Sequence, residues 1–198
     1  MKNGFALGLA VLVIGGLIGA PACRQQPQSR QYEENGAADA GKQVPPQDPA
    51  LAAAWRWVTP PQWREEAGSG MRLATFSIPG TGGAGQCTLI PLPGDGGGIQ
   101  ANVQRWLEQL QLQTLSPQAL ADFLGRQETM RTAAGLPLTV IDFTPLSYQQ
   151  QPSGTSMLAA MIRGEDQTLF VKLSGAKALL EKNREFFYEF CRSLSHGA

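Results

Sequence analysis

The feature that most limits how much of this 198-residue chain can fold is a gap in its apolar residues. From Arg24 to Ala50 there is no Ile, Leu, Met, Phe or Trp, and Val44 and Tyr32 stand alone among Gln, Pro, Ala, Glu and Gly. Such a stretch cannot bury enough surface to offset the entropy of ordering, so it is expected to be a disordered tether. A flexible chain of this length typically reaches roughly 30 Å. The apolar residues on either side therefore belong to separate objects: a short leader before the gap and one domain, residues 51–198, after it.

The leader has the layout of an export signal. Lys2 supplies a positive start, and Phe5 to Ala20 is uncharged and rich in Leu, Val, Ile, Ala and Gly before Ala20-Pro21-Ala22-Cys23. The stretch is short and glycine-laden against the about 20 apolar residues that span a bilayer. Cys23 after small residues resembles a bacterial lipobox, which predicts a signal peptide over residues 1–22, lipid on Cys23, and a tether through residue 50. Ordinary signal peptidase cleavage after Ala22 is the alternative, giving a soluble periplasmic or secreted protein. The expected location is the cell envelope, with the membrane reached through the N-terminal lipid.

Charge and histidine content narrow the chemistry. Sixteen Lys plus Arg balance sixteen Asp plus Glu, whereas a nucleic-acid binder normally carries a basic excess. The single histidine, His196, stands two residues from the C-terminus, so a Ser/His/Asp triad, a histidine zinc site and histidine general-base chemistry are expected to lack their central residue. No enzyme activity, metal or cofactor is expected.

Hydrophobic periodicity predicts the elements of the domain. Met71 to Ile78 reads as a strand covered on both faces, joined through the glycines of residues 80–85 to a second strand at Gln86 to Leu92. After Gly94-Asp95-Gly96-Gly97-Gly98, the stripe Ile99, Val103, Trp106, Leu107 and Leu110 predicts a helix to Gln113. Ser116-Pro117 opens a short helix to Leu124. Glu128 to Thr132 pairs with Leu136 to Thr144, and Met157 to Arg163 with Thr168 to Ser174. A final helix, Ala176 to Leu194, presents Leu179, Phe186, Phe187, Phe190 and Leu194. Arg64 to Gly70 reads as a charged turn. The fold class is α+β.

Several of these segments together resemble a known superfamily. The Pro60-x-x-Trp63 opening, the Met71 to Phe76 strand, the glycine turn into Asn102-Val103-Gln104-Arg105-Trp106 and the Leu169 to Gly175 strand before an aromatic helix are similar to the PsbP-like and Ran-binding Mog-like superfamily, which includes DcrB-like bacterial lipoproteins. The resemblance implies a central antiparallel sheet with helices packed on both faces. It also implies a role in assembly or binding, with an envelope protein as partner and no shared active site to carry over.

The candidate sites follow from local chemistry. The Gly94–Gly98 loop could offer backbone N–H groups to an anion, although Asp95 opposes phosphate and no Gly-Lys-Ser/Thr ending follows. Asn102, Arg105 and Trp106 form a polar and aromatic helix shoulder that would recognise a partner or small ligand; otherwise it is a solvated edge beside a core tryptophan. Asn183 falls in the middle of the last helix's apolar face and needs partners there, a strand edge or loop backbone being expected and a bound partner or ligand being the alternative. Cys87 and Cys191 remain as a candidate disulfide or as two buried thiols. The pairs Glu65-Glu66 and Glu165-Asp166 are read as solvated charge in turns.

Overall fold

The computed structural model describes residues 55–81, 83–146 and 154–197; the predicted signal peptide 1–22, Cys23 and the tether through residue 50 lie outside the described residues. Seven strands form one antiparallel sheet, and each central strand reads as an almost unbroken apolar run because both of its faces are covered. In chain order these are β2 (Arg64–Ala67), β3 (Ala74–Ile78), β4 (Gly85–Pro93), β5 (Glu128–Arg131), β6 (Pro137–Asp142), β7 (Thr155–Arg163) and β8 (Gln167–Ala176). They lie side by side as β2-β3-β4-β8-β7-β6-β5. A separate two-stranded ribbon pairs β1 (Trp55–Arg56) with β9 (Ser195–His196).

Strand parity sorts the side chains between two cores. Cys87, Leu89, Leu158, Ala160, Ile162, Leu169, Val171 and Leu173 point to the face covered by helix α3 (Lys177–Ser193). Their chain neighbours Ile90, Met157, Ala159, Met161 and Phe170 point to the other, under α1 (Ile99–Gln109) and α2 (Pro117–Gly125). The fold is thus α+β, with helices on both faces of a central antiparallel sheet, as expected. Among the described residues no helix is long and apolar enough to cross a membrane.

The differences from the sequence reading have local causes. Helix α1 stops at Gln109 rather than Gln113, because Gln111 takes a left-handed conformation (φ 55°). Its N–H donates to the Glu108 carbonyl (2.9 Å) and that of Leu112 to the Leu107 carbonyl (2.8 Å), the paired closure of a Schellman end. Leu112 is thereby turned back into the core. The strand predicted from Met71 begins at Ala74, and Met71 is 55% exposed. Arg64 to Ala67 is an edge strand, not a turn: its four residues are all exposed, and a short charged strand is a common way to protect a sheet edge. On α3 the buried face runs through Leu179, Leu180, Asn183, Phe187, Phe190 and Cys191, while Phe186 stands outside it.

Candidate functional site

The glycine loop predicted as a candidate anion cradle is closed by its own residues. Gly94, Gly96, Gly97 and Gly98 all have positive φ, and a Cβ on Gly96 would sit 2.4 Å from the Phe170 ring. Asp95 Oδ1 accepts the Gly97 N–H at 2.9 Å, so a carboxylate already occupies a donor that an anion would need. Asn102 then fastens the loop to α1: its Nδ2 donates to the carbonyls of Gly96 (2.9 Å) and Gly98 (2.7 Å), and its Oδ1 accepts from Arg105 Nη1 (3.0 Å). Asn102 is 2% exposed, which corrects its placement on a solvated shoulder; its amide is a buried clasp. Arg105 lies outside the core on the same helix. Trp106 is buried edge-on to Phe143 (6.2 Å) and Phe170 (5.9 Å).

Asn183 lies on the opposite face of the sheet, so the structure does not bring it together with Asn102, Arg105 and Trp106. Its Oδ1 accepts from Trp63 Nε1 at 3.1 Å and its Nδ2 donates to Leu179 of its own helix at 2.9 Å. The partners are an indole and a helical carbonyl rather than the expected strand edge or loop backbone. They tie the segment before β2 to α3, where Trp63, Phe76 and Phe190 stack within 6.0 Å of one another.

Cys87 and Cys191 share the core beneath α3 as free, buried thiols. Cys191 lies inside the apolar face of α3. Burial pushes both thiols up, and for Cys87 the neighbouring Cys191 adds to the effect. Glu65 and Glu66 stand on β2, with Glu65 Oε2 accepting from Thr59 Oγ1 (2.7 Å) and Trp57 Nε1 (3.3 Å). Glu165 and Asp166 form the exposed turn between β7 and β8, as expected.

Two polar clusters escaped the sequence reading. In the first, Arg184 on α3 bonds Asp142 at the end of β6 and donates to Thr144 Oγ1 at 3.0 Å. Thr144 in turn donates through N–H (2.8 Å) and hydroxyl (2.7 Å) to Asp142. One turn along, Tyr188 is pushed up to about 12, first by burial and then by the Glu128 carboxylate that its hydroxyl bonds. These groups are mutually paired and hold α3 to the β5–β6 side of the sheet.

The second cluster is not closed. A cavity of about 290 Å3 lies where the β7–β8 turn meets the end of the chain, lined by Leu136, Glu165, Asp166, Gln167 and His196 among others. Gln167 Nε2 and His196 Nε2 lie 2.8 Å apart, a contact whose direction is set by the ring tautomer and the orientation of the amide. Trp55 holds the ring edge-on at 5.0 Å. Among the described residues, Gln167 Oε1 and Trp55 Nε1 are both buried without a hydrogen-bond partner. A buried polar atom in that state ordinarily costs about 1–3 kcal/mol. No sequence signal marked this corner, because Trp55, Leu136, Gln167 and His196 come from four distant segments, two of them strands of only two residues.

No family model and no curated protein matches the chain. Among solved structures it is similar to a protein from Bacteroides thetaiotaomicron VPI-5482 at 11% identity, over 74% of this chain and 46% of that one, with a TM-score of 0.44. The match thus spans under half of the Bacteroides protein. It is similar to LpqN of Mycobacterium tuberculosis, described as involved in cell envelope biogenesis, at 10% identity over 73% of this chain and 83% of LpqN, with a TM-score of 0.43. Similarity to cyanobacterial PsbP from Synechocystis sp. PCC 6803 is 12% in identity over 82% of this chain and 98% of that one, with a TM-score of 0.44.

Proposed function

We propose that the chain is a non-enzymatic envelope lipoprotein, held to a membrane through Cys23, whose domain binds a protein partner. The observation that carries this reading is the state of the helix shoulder. Its small-ligand or enzymatic alternative needs Asn102, Arg105, Trp106 and the Gly94–Gly98 loop to face a substrate. Instead Asn102 bonds the loop and Arg105, Asp95 bonds Gly97, and Trp106 packs between two phenylalanines. The remaining elements are a sheet filled on both faces and two short, charged edge strands, a body suited to presenting surface rather than enclosing a reaction. The lipid on Cys23 and the polar stretch to Ala50 would hold that surface clear of the lipid headgroups.

Cross-linking of the intact protein in membranes, then identification of what is recovered, tests the reading. A specific envelope protein is the expected result, and Cys23→Ala moves the chain to the soluble fraction. Reproducible substrate turnover by the purified chain, lost on Arg105→Ala with folding retained, would contradict it.

A further inference from the structure

We propose that the groove between the start of β2 and the end of β3 is a binding site for an organic carboxylate, with Arg64 as its cation. This goes beyond the partner-binding reading and does not depend on it. The groove holds about 620 Å3, and none of its lining residues, Pro61, Trp63, Arg64, Ser77 and Pro79 among them, is acidic. The sheet register sets Arg64 directly across from Ser77, so a guanidinium and a hydroxyl share one side of the β2–β3 pair at the groove. Among the described residues neither side chain has an ion-pair or hydrogen-bond partner. A guanidinium has only N–H groups to offer, its planar fork matches a carboxylate, and the hydroxyl across the strand adds a further donor.

The surroundings of the groove fit a single negative charge. Glu65, next along β2, has the opposite parity, and its carboxylate accepts from Thr59 Oγ1 and Trp57 Nε1. Glu66 shares the parity of Arg64 but lies one row further along, across from Thr75. One cation with a carboxylate two residues away matches a monoanion better than the double charge of phosphate. The row that begins with Arg64 and Ser77 continues to Gln86 on β4 and Ser174 on β8, and all four residues are partly or fully exposed. Further along the same side of the same two strands stand Ile90 and Phe170, packed in the core under α1 and α2. The sheet thus changes from apolar to polar towards Arg64, where hydroxyls and an amide are open to a bound acid. Pro61 and Pro79, both exposed, wall the groove beside the guanidinium and favour an acid that carries a short apolar group over a bare ion.

The test is a titration of the full chain, followed by NMR through the Arg64 side-chain N–H and the backbone amides of Ser77 and Gln86. The probes are butyrate, butyramide, n-butylammonium, inorganic phosphate and a blocked tripeptide with central glutamate. Saturable shifts with butyrate or the glutamate peptide are expected, weakened about tenfold or more in Arg64→Gln, the loss that follows from removing one charge-assisted bond. Arg64 is exposed on an edge strand, so this variant keeps its fold. Tighter binding of the peptide assigns the carboxylate to a protein side chain, and tighter binding of butyrate to a small molecule; either upholds the site. Equal shifts with butyramide or n-butylammonium, phosphate binding as tight as butyrate, or no shift with either acid overturn it. Ser77→Ala provides a second check: it weakens carboxylate binding less than Arg64→Gln, and a larger loss in Ser77→Ala than in Arg64→Gln contradicts the role given to Arg64.

Discussion

The two loop corners at this end of the sheet touch each other yet differ in how their polar groups are satisfied. The N–H of Gly94 donates to the Asp166 carbonyl at 2.7 Å and Thr168 Oγ1 to the Gly94 carbonyl at 2.8 Å, so the glycine loop and the β7–β8 turn are stitched together. On the glycine side, Asn102 and Asp95 answer the loop's backbone groups from within. On the turn side, among the described residues, the oxygen of Gln167 and the indole nitrogen of Trp55 have no hydrogen-bond partner, and Gln167 lines a cavity. The two corners thus differ in whether their donors and acceptors cancel.

The contrast can be broken by substitution, and the largest effect belongs to the closed corner. Trp106→Ala removes an indole packed against Phe143 and Phe170 and is expected to cost about 3–5 kcal/mol in urea denaturation. A near-wild-type midpoint would show that this helix face is not core. Asn102→Ala leaves two loop carbonyls and Arg105 without their partner and is expected to cost about 1–3 kcal/mol. Gln167→Met removes an amide that is already half unsatisfied, so its cost should stay under about 1 kcal/mol, its sign set by the lost bond to His196. If Gln167→Met proves more damaging than Asn102→Ala, the ranking of the two corners is wrong.

The paired cluster on α3 sharpens the comparison through pH. The Tyr188 phenol is held up to about 12 in the folded protein against an ordinary value of 10. Folding therefore favours its protonated form: the contribution is intact below pH 10 and is lost as the pH rises through about 12. Raised thiols at Cys87 and Cys191 slope the same way, so the informative quantity is the difference between wild type and Tyr188→Phe. That difference should shrink as the pH rises across this window, measured from denaturation midpoints.

Much of this fold was legible in the chain because long elements repeat their signal. The β7–β8 hairpin, α2 with Ser116 accepting the Ala119 N–H, and the α3 stripe all follow from periodicity and capping. The ribbon of β1 and β9 was not legible, since two residues show no period, and β2 was hidden because an exposed charged strand looks like a turn. At the site level, residue type drew attention to Asn102, Trp106 and Asn183. It could not say that their partners were internal, because Asn102 to Gly96 is a local bond but Asn183 to Trp63 spans the chain. His196 was discounted for its position near the chain end, and only tertiary pairing brings it to Gln167 and Trp55.

The most direct test of the closed and open corners is solvent exchange at two side-chain amides, read by NMR on the full chain. The Asn102 amide, donated to two backbone carbonyls and 2% exposed, should exchange slowly, and the Gln167 amide at the cavity wall should exchange much faster. Exchange at Asn102 as fast as at Gln167, or faster, would contradict the account.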